Sequence, residues 1–525
     1  MRVKTTEMKY TSQAKQLTIG EFRSSLEGLD KSNRWVMLGD LMPWAKIEKL
    51  YNSRLHNQDC GAGNKPARMI IGAVIIKHRL ALSDEETIQM IRENPYMQYF
   101  VGLSEFTDKP IFDPSLFVTI RKRIGVEDFN SMSVSLLEKQ VKQMEEAENR
   151  DGKEDNGEEP NGDSPDAEEG TRKEVKREDL GKEFADEQGR LHKGVLKIDA
   201  TCSDAEVRYP TDVDLVHDGC KVINRYMDKI CETFGLPRPV SHYKSARYEY
   251  LRLIKRKARK GNQVKSTMRI LLHYLHADIQ GFMDLVAPSM RFYDALYSYE
   301  KRTVTAIIKM YHQQLQMLTD NVHQCADRII SIFQPHLRPI VRGKAKARAE
   351  FGAKTGAGIY EGYTFIDHLN WNAYNEESDA ELQIELFKER FSFLPATILA
   401  DKIYMNKTNR KLFKDYGIHA YCRPLGRPPK EPKSPEYLAR MSQAVGDRNE
   451  VEASFGTGKR VYRANNIRAK LPDTAASWIG SCYFVKNLMK FLRELCHILT
   501  EIWQLIINMV TEWGYVCTPV LVARY

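Results

Sequence analysis

Hydrophobic positions recur at helical spacing from Lys65 to about Lys139. The run PARMIIGAVIIKHRLAL places Pro66 at a helix start, where its missing N–H costs little. Ser83 stands three residues before Glu86, a capping box that opens a second helix, and Pro95 closes it. Asp113-Pro114-Ser115 opens a third helix over LFVTIRKRIG, and an earlier helix is expected over Asp40–Tyr51. Several short helices with a basic one among them suit a small DNA-binding or dimerising bundle, and equally a plain helical domain.

From Met144 to Gln188 the pattern collapses into Glu, Asp, Gly and Asn, without an aromatic before Phe184. Such a stretch buries too little apolar surface to fold and is expected to be a disordered linker. Beyond it, GVLKIDATC is a short strand-like run. Helical spacing then returns in INRYMDKICETF, RYEYLRLIKRKARK, TMRILLHYLHADIQGFMDLV and a long segment from Ser298 to Phe333. Alternation with Gly punctuation over TGAGIYEGYTFIDHLNW predicts paired strands. A helix over Ser378–Phe391 is expected to open on a Ser378/Glu381 capping box. ATILAD follows as a buried strand ending at Asp401, then a helix over Asn409–Tyr416 and a Pro-rich loop, RPLGRPPKEPKSPEY. From Arg440 the chain is helical, with a long apolar-faced helix or pair over Ala475–Met509. Strands and helices alternate around a large helical insertion, which implies an α/β core with carboxylates at strand ends.

Charge sharpens this picture. The 525 residues carry a net +9, but Glu145 to Glu169 alone hold a net −10, which leaves +19 on the remainder. A body this basic points to a polyanionic partner, nucleic acid first. From Lys244 to Arg269 ten Lys/Arg, among them Lys244, Arg252, Lys255, Arg256 and Lys257, face the single Glu249, with Tyr248 and Tyr250 interleaved. A second basic stretch holds Arg338, Arg342, Lys344, Lys346, Arg348 and Lys354. Contacts of this type position DNA through its phosphates without reading sequence; a solvated helix face is the plainer account of the first stretch. The nine Cys contain no C-x-x-C pair, and their odd number argues against a disulfide framework, so a reducing cytoplasm is expected. No signal peptide is evident, and Glu501, Gln504 and Asn508 break the most apolar tail stretch, so no membrane span is expected.

Phosphoryl transfer on DNA uses two divalent cations about 3.5–4 Å apart. Mg²⁺ takes oxygen ligands, so such a site is built from Asp and Glu. Asp199 and Asp401 each follow a short apolar run, VLKI and TILA, which sets them at the rim of a sheet. The same pattern suits an Asp that opens a turn or caps a helix. Glu452, in DRNEVEASFGTGKR, shares a helix face within about 40° with Arg448 and Lys459, while Glu450 is expected to point away. A carboxylate between two cations suits a metal ligand flanked by phosphate-gripping groups; a surface ion pair gives the same pattern. Gly456 and Gly458 weaken the helix between Glu452 and Lys459.

These segments, in this order, resemble the DDE transposases of bacterial insertion sequences, in the branch of the IS-five and IS-four groups. NKPARMIIGAVIIKHRLALSDEETIQMIRENPYMQYFVGL and FDPSLFVTIRKRIG are similar to that branch's helical N-terminal domain. VLKIDATCSDAEVRYPTDVDLV, RPIVRGKAKARAEFGAK with EGYTFIDHLNWNAYNE, ILADKIYMNKTNRKLFKDYGI and RNEVEASFGTGKRVYRANNI resemble its catalytic segments. The resemblance implies that Asp199, Asp401 and Glu452 are the catalytic, metal-holding triad, with Arg448 and Lys459 on DNA. The related signature has a Tyr where this chain has Val445, so the resemblance does not carry over a hairpin route of cleavage and leaves the route open.

The resemblance further implies an RNase H-like α/β catalytic core with a large helical insertion, plus an all-α N-terminal domain. The expected parts are a DNA-binding or dimerisation domain (1–143), an acidic linker (144–190), the core (191–217 and 334–495), a basic helical insertion (218–333) and a helical tail (496–525). The expected activity is that of an insertion-sequence transposase. It would bind terminal inverted repeats and use two Mg²⁺ ions, with Mn²⁺ as a possible substitute, to cleave DNA and transfer 3′-hydroxyl ends. Double-stranded DNA and a homodimer on paired ends are the expected partners, and the cytoplasmic nucleoid the expected place. A nuclease of the same fold without strand transfer, or a domesticated non-catalytic DNA-binding regulator, are the alternatives.

Overall fold

The computed structural model describes residues 26, 28–55, 63–151, 179–258, 260–341, 349–422 and 434–512, with the side chains of 143–151 and 496–512 left out. Seven helices come first: α1 (Arg34–Leu41), α2 (Trp44–Ser53), α3 (Ala67–Leu80), α4 (Asp84–Glu93), α5 (Pro95–Phe100), α6 (Leu116–Arg123) and α7 (Val126–Asp151). α3 is apolar nearly all round and its residues from Ile70 to His78 are buried, as a central helix requires. The Ser83/Glu86 capping box forms at the head of α4. The single helix expected over Asp40–Tyr51 is two, because Pro43 stands at the N-cap of α2 and α1 stops before it.

The segment over 144–190, expected to be a disordered linker, forms regular structure at both ends. α7 runs on to Asp151, and a hairpin of β1 (Phe184–Ala185) and β2 (Leu191–His192) occupies the far end. Residues 152–178 of that segment lie outside the described residues. The hairpin forms because Asp186 caps its turn, accepting from the N–H groups of Gln188 and Arg190.

β3 (Val195–Asp204) then enters the main sheet. The insertion follows as α8 (Asp212–Phe234), α9 (Tyr243–Ile254), α10 (Gly261–Val286), α11 (Met290–Asp294) and α12 (Ser298–Thr319). α12 ends at Thr319, well short of the expected Phe333, and the chain to Leu337 forms no regular helix. After it come β4 (Arg338–Val341), β5 (Ala349–Tyr360), β6 (Tyr363–Asn370), α13 (Ala380–Phe391), β7 (Thr397–Ala400), α14 (Lys407–Asp415) and β8 (His419–Tyr421). α15 (Pro435–Arg460) and α16 (Pro472–Glu512) complete the described chain. The expected boundary at 496 falls inside α16, which is continuous through it. Most of the Pro-rich loop, residues 423–433, lies outside the described residues.

The sheet is mixed. β3 lies antiparallel to β5 and parallel to β7, and β7 is parallel to β8. The outer edge of β5 is covered by β4 along its first residues and by β6 along the rest. β5 and β6 are joined at Glu361-Gly362, both with positive φ (48° and 72°), the two-residue turn whose twist matches the strands. The expected capping box at Ser378 does not form. Ser378 Oγ donates to the Asn375 carbonyl instead, and a short 3-10 turn, Glu376–Asp379, leads into α13.

The N-terminal helices and the sheet are one body. A single apolar cluster runs from Trp35 through α3, α7, β3, β5, β6 and β7 to Leu495 on α16. Two asparagines seal the outer edge of β6. Asn487 of α16 accepts from Thr364 N–H (2.9 Å) and donates to its carbonyl (2.8 Å). Asn130 of α7 does the same for Ile366, at 3.1 and 2.8 Å. An edge strand that would otherwise offer bare donors and acceptors is thereby closed. The insertion has a separate core, from Val213 to Ile332. No described helix is long and apolar enough to cross a membrane.

Candidate active site

Asp199 sits in mid-β3, on the same sheet face as Lys197 by strand alternation. In the parallel pairing Ile198 is opposite Ala400, so Asp401, one residue past β7, lies beside Asp199 on that face. α15 crosses this face. Its Arg448 guanidinium reaches both carboxylates that flank it: Nη1 lies 3.2 Å from Asp199 Oδ2 and Nη2 lies 3.4 Å from Glu452 Oε1. The expected helical face shared by Arg448 and Glu452 therefore exists, and it meets the first Asp. α13 covers the opposite face, where Phe387 packs edge-on against Tyr360 at 5.0 Å.

Burial raises the Asp199 carboxyl above its ordinary value. The Ala200 N–H and Arg448 draw it down, while the negative charges of Glu376 and Asp401 push it up again. Asp401 accepts from the Lys402 N–H at 2.8 Å, which sets the turn after β7. Glu452 is the open member of the group, with 68% of its side chain exposed.

Three expectations change. Glu450 does not point away: it pairs with Lys197 on the strand that carries Asp199, so α15 straddles β3. Lys459 remains in the helix despite Gly456 and Gly458, but its charge bears on Asp204, farther along β3. Arg338 turns inward and does not stand out on the surface as a phosphate-gripping group would. Its side chain is 15% exposed, and Nη1 donates to the carbonyls of Pro335 (2.6 Å) and Leu337 (2.9 Å). Arg342, Lys344 and Lys346 lie outside the described residues. Lys244, Arg247, Arg252, Lys255, Arg256 and Lys257 are all exposed on or just after α9, whose Ala246 and Leu253 face inward. Arg252 is half-exposed and forms an ion pair with Glu249 at 2.7 Å.

The donor set suits a hard divalent cation, since Asp199, Asp401 and Glu452 supply carboxylate oxygen and nothing softer. The group is gathered but open, with the Arg448 charge between its first and third members. Among the described residues, the His, Cys, Asp and Glu side chains whose ligand atoms all lie within 4.8 Å of one another are Cys202, Asp204 and Glu350. That group stands at the end of β3, where Lys459 already supplies positive charge.

Spacing gave no sign of Glu376 or Tyr404, and Lys354 stood out only as a member of the second basic stretch. Glu376 begins the 3-10 turn that packs on the turn after Asp401, and Lys354 Nζ lies 3.2 Å from it. Their proximity to Asp199 is created by the fold, not by any helical or strand period in the sequence.

Comparison with known proteins fits this arrangement. Residues 24–123 match a family model described as a transposase domain (DUF772), and residues 398–489 match one described as a transposase DDE domain. The second match begins inside β7 and takes in Asp401, Arg448 and Glu452. An uncharacterised protein, ORF8 of the nfe locus in Rhizobium meliloti, is 30% identical over 112 residues. That match covers 21% of this chain and 53% of the relative, so the chain spans about half the length of that curated protein. No solved structure matches. Residues that match a transposase domain thus stand ahead of a sheet that leads into residues that match a transposase DDE domain, the pairing found in transposases of the IS-four and IS-five type.

Proposed function

We propose that this protein is an active insertion-sequence transposase. It binds the terminal inverted repeats of its element and performs metal-dependent strand cleavage followed by 3′-hydroxyl transfer. The observation that carries the reading is the meeting of Asp199, Asp401, Arg448 and Glu452 on one face of the sheet. A strand order of β6-β5-β3-β7-β8, antiparallel on one side of β3 and parallel on the other, supports reading the core as RNase H-like. Asp199, Asp401 and Glu452 would hold two Mg²⁺ ions, with Mn²⁺ as a substitute. When bound, such a pair activates the attacking oxygen and stabilises the leaving one.

The chain's own groups do the rest. Arg448, with its forked donors, orients a DNA phosphate beside the carboxylates. The exposed cations of α9 (Lys244, Arg252) and of the segment after it (Lys255, Arg256, Lys257) hold the duplex by its backbone. Lys459 serves the same end farther along β3. In the first step water attacks the phosphorus at the element end, the P–O3′ bond breaks, and a 3′-hydroxyl is released. In the second, that 3′-hydroxyl attacks a target phosphodiester and displaces a target 3′-oxygen, so the number of phosphodiester bonds is conserved. A dimer on paired ends is the proposed acting form.

The test is cleavage and joining on the DNA that flanks the element, with Mg²⁺, in wild type and in Asp199→Asn, Asp401→Asn and Glu452→Gln. Wild type is expected to cut and join, and each variant to bind DNA while losing at least about 100-fold in rate, as loss of a metal-site residue does. Cutting without joining would point to a nuclease. Binding with no cutting by wild type would point to a regulator.

A further inference from the structure

We propose that Glu376 is a fourth cation-holding carboxylate of this site, presented by the 3-10 turn Glu376–Asp379 that packs against the turn containing Tyr404. The inference rests on reading Asp199 and Asp401 as a cation-holding pair.

The turn is fixed from several directions. Lys354 Nζ donates to the Tyr374 carbonyl at 2.7 Å just before it. Asn409 Nδ2 donates to the Glu377 carbonyl at 2.8 Å, tying the turn to α14. Asp379 pairs with His368 Nδ1 at 2.8 Å. Gly356 on β5 makes the close approach possible: a Cβ there would stand 2.8 Å from Asp379 Oδ2 and 3.1 Å from Tyr374 Oη. So held, the turn packs against Lys402–Tyr404, the turn that directly follows Asp401. Glu376 retains 20% side-chain exposure, which leaves it open to a solvent-borne ion.

Tyr404 supplies an independent observation. Its side chain is fully buried, and its hydroxyl has no hydrogen-bond partner among the described residues. Glu376 and then Asp199 are the first charges that bear on it. A buried hydroxyl left without a partner costs about 1–3 kcal/mol and calls for an explanation. A hydrated cation held by Asp199, Asp401 and Glu376 would bring water to that hydroxyl. Glu376 also precedes Asp401 among the negative charges acting on Asp199. Lys354 offsets Glu376 at 3.2 Å and Arg448 offsets Asp199 at 3.2 Å. Two carboxylates that bear on a third, beside two such cations, form an arrangement that a divalent ion relieves.

The alternative is that Glu376 exists only to pair with Lys354. The two accounts separate with the full-length protein, titrated with Mn²⁺ alone by calorimetry and melted in parallel. Glu376→Gln is expected to weaken Mn²⁺ binding about tenfold with an unchanged melting temperature. Lys354→Met is expected to bind Mn²⁺ as tightly as wild type or more so. Wild-type Mn²⁺ affinity in Glu376→Gln overturns the proposal, as do equal losses in the two variants, or a wild type that binds no Mn²⁺. If Asp401→Asn loses Mn²⁺ binding and Glu376→Gln does not, the proposal falls while the reading of the pair stands. If both lose it and wild type cuts no DNA, the cation site stands and the transposase activity alone falls.

Discussion

Arg448 is the residue on which the site turns, because one guanidinium touches both Asp199 and Glu452. It stabilises the ionised form of a carboxyl that burial otherwise pushes up. Removing that cation raises the pH at which Asp199 ionises. In Arg448→Ala the acid limb of the cleavage pH profile is therefore expected to move to higher pH, and Arg448→Lys to restore its position while recovering little rate, since a point charge lacks the fork. A limb that stays in place while the rate falls would show that Arg448 acts on DNA alone. At this scale much was legible in the sequence. Asp199 and Asp401 announce themselves as charges at the ends of apolar runs, and Arg448 and Glu452 as an i,i+4 pair. Glu376 was not legible: it sits in an acidic turn, and only the packing of that turn on Lys402–Tyr404 brings it near Asp199. Arg338 misled for a related reason, since a basic cluster in sequence does not say which member turns inward to the carbonyls of Pro335 and Leu337.

At the scale of elements, the helices with strong local signals form as read. The Ser83/Glu86 box caps α4, and the Gly-punctuated alternation becomes the β5–β6 hairpin. Errors occur where a local preference competes with another. Ser378 bonds back to Asn375 in place of capping, and α12 stops at Thr319, well before Phe333. α9 is the element whose function follows most directly from its surface. Replacing Lys244, Arg247, Lys255 and Arg256 together by Ala is expected to weaken DNA binding at all sequences and to flatten its salt dependence. The slope of log affinity against log salt should fall by about 0.9 for each phosphate that is no longer neutralised. An unchanged slope would remove α9 from the interface. The closure of β6 by Asn130 and Asn487 carries a stability expectation. Asn130→Ala orphans the buried N–H and carbonyl of Ile366, at roughly 1–3 kcal/mol for each group, readable from the denaturant midpoint. A midpoint unchanged from wild type would show that water replaces the asparagine.

At the scale of the whole molecule, the acidic segment that looks like a domain boundary is not one in space. α7 and α16 pack together on the sheet, with Phe129 against Phe484 at 5.8 Å, although the acidic segment separates α7 from everything after it in the sequence. Composition does not report which segments on either side of an acidic run share a core. The contact between α3 and α16 makes the union testable by pH. His78 is wholly buried there, edge-on to Trp478 at 5.0 Å, with Nε2 at 2.8 Å from Ser481 Oγ and Nδ1 at 3.4 Å from Cys482 Sγ. Ser481 Oγ donates to the Trp478 carbonyl, so it accepts from Nε2–H, and the thiol is left to donate to Nδ1. Both ring nitrogens are thus satisfied by the neutral form. Burial first, then the neighbouring charges of Lys77 and Arg121, lower the His78 pKa to about 3 against the opposing pull of Asp84. The unfolded chain takes up this proton near the ordinary value of 6.5, well before the folded one does. The stability that neutral His78 contributes is therefore complete above pH 6.5 and lost progressively as pH falls towards 3. His78→Gln is expected to be less stable than wild type near neutrality and to lose less on acidification to about pH 4.5, because it has no proton to gain. The comparison is of denaturant midpoints at the two pH values, followed by a signal from the catalytic sheet. Parallel losses in the two proteins would take His78 out of the account. A sheet that stays folded while the N-terminal helices melt would mean that the shared core does not unfold as a unit.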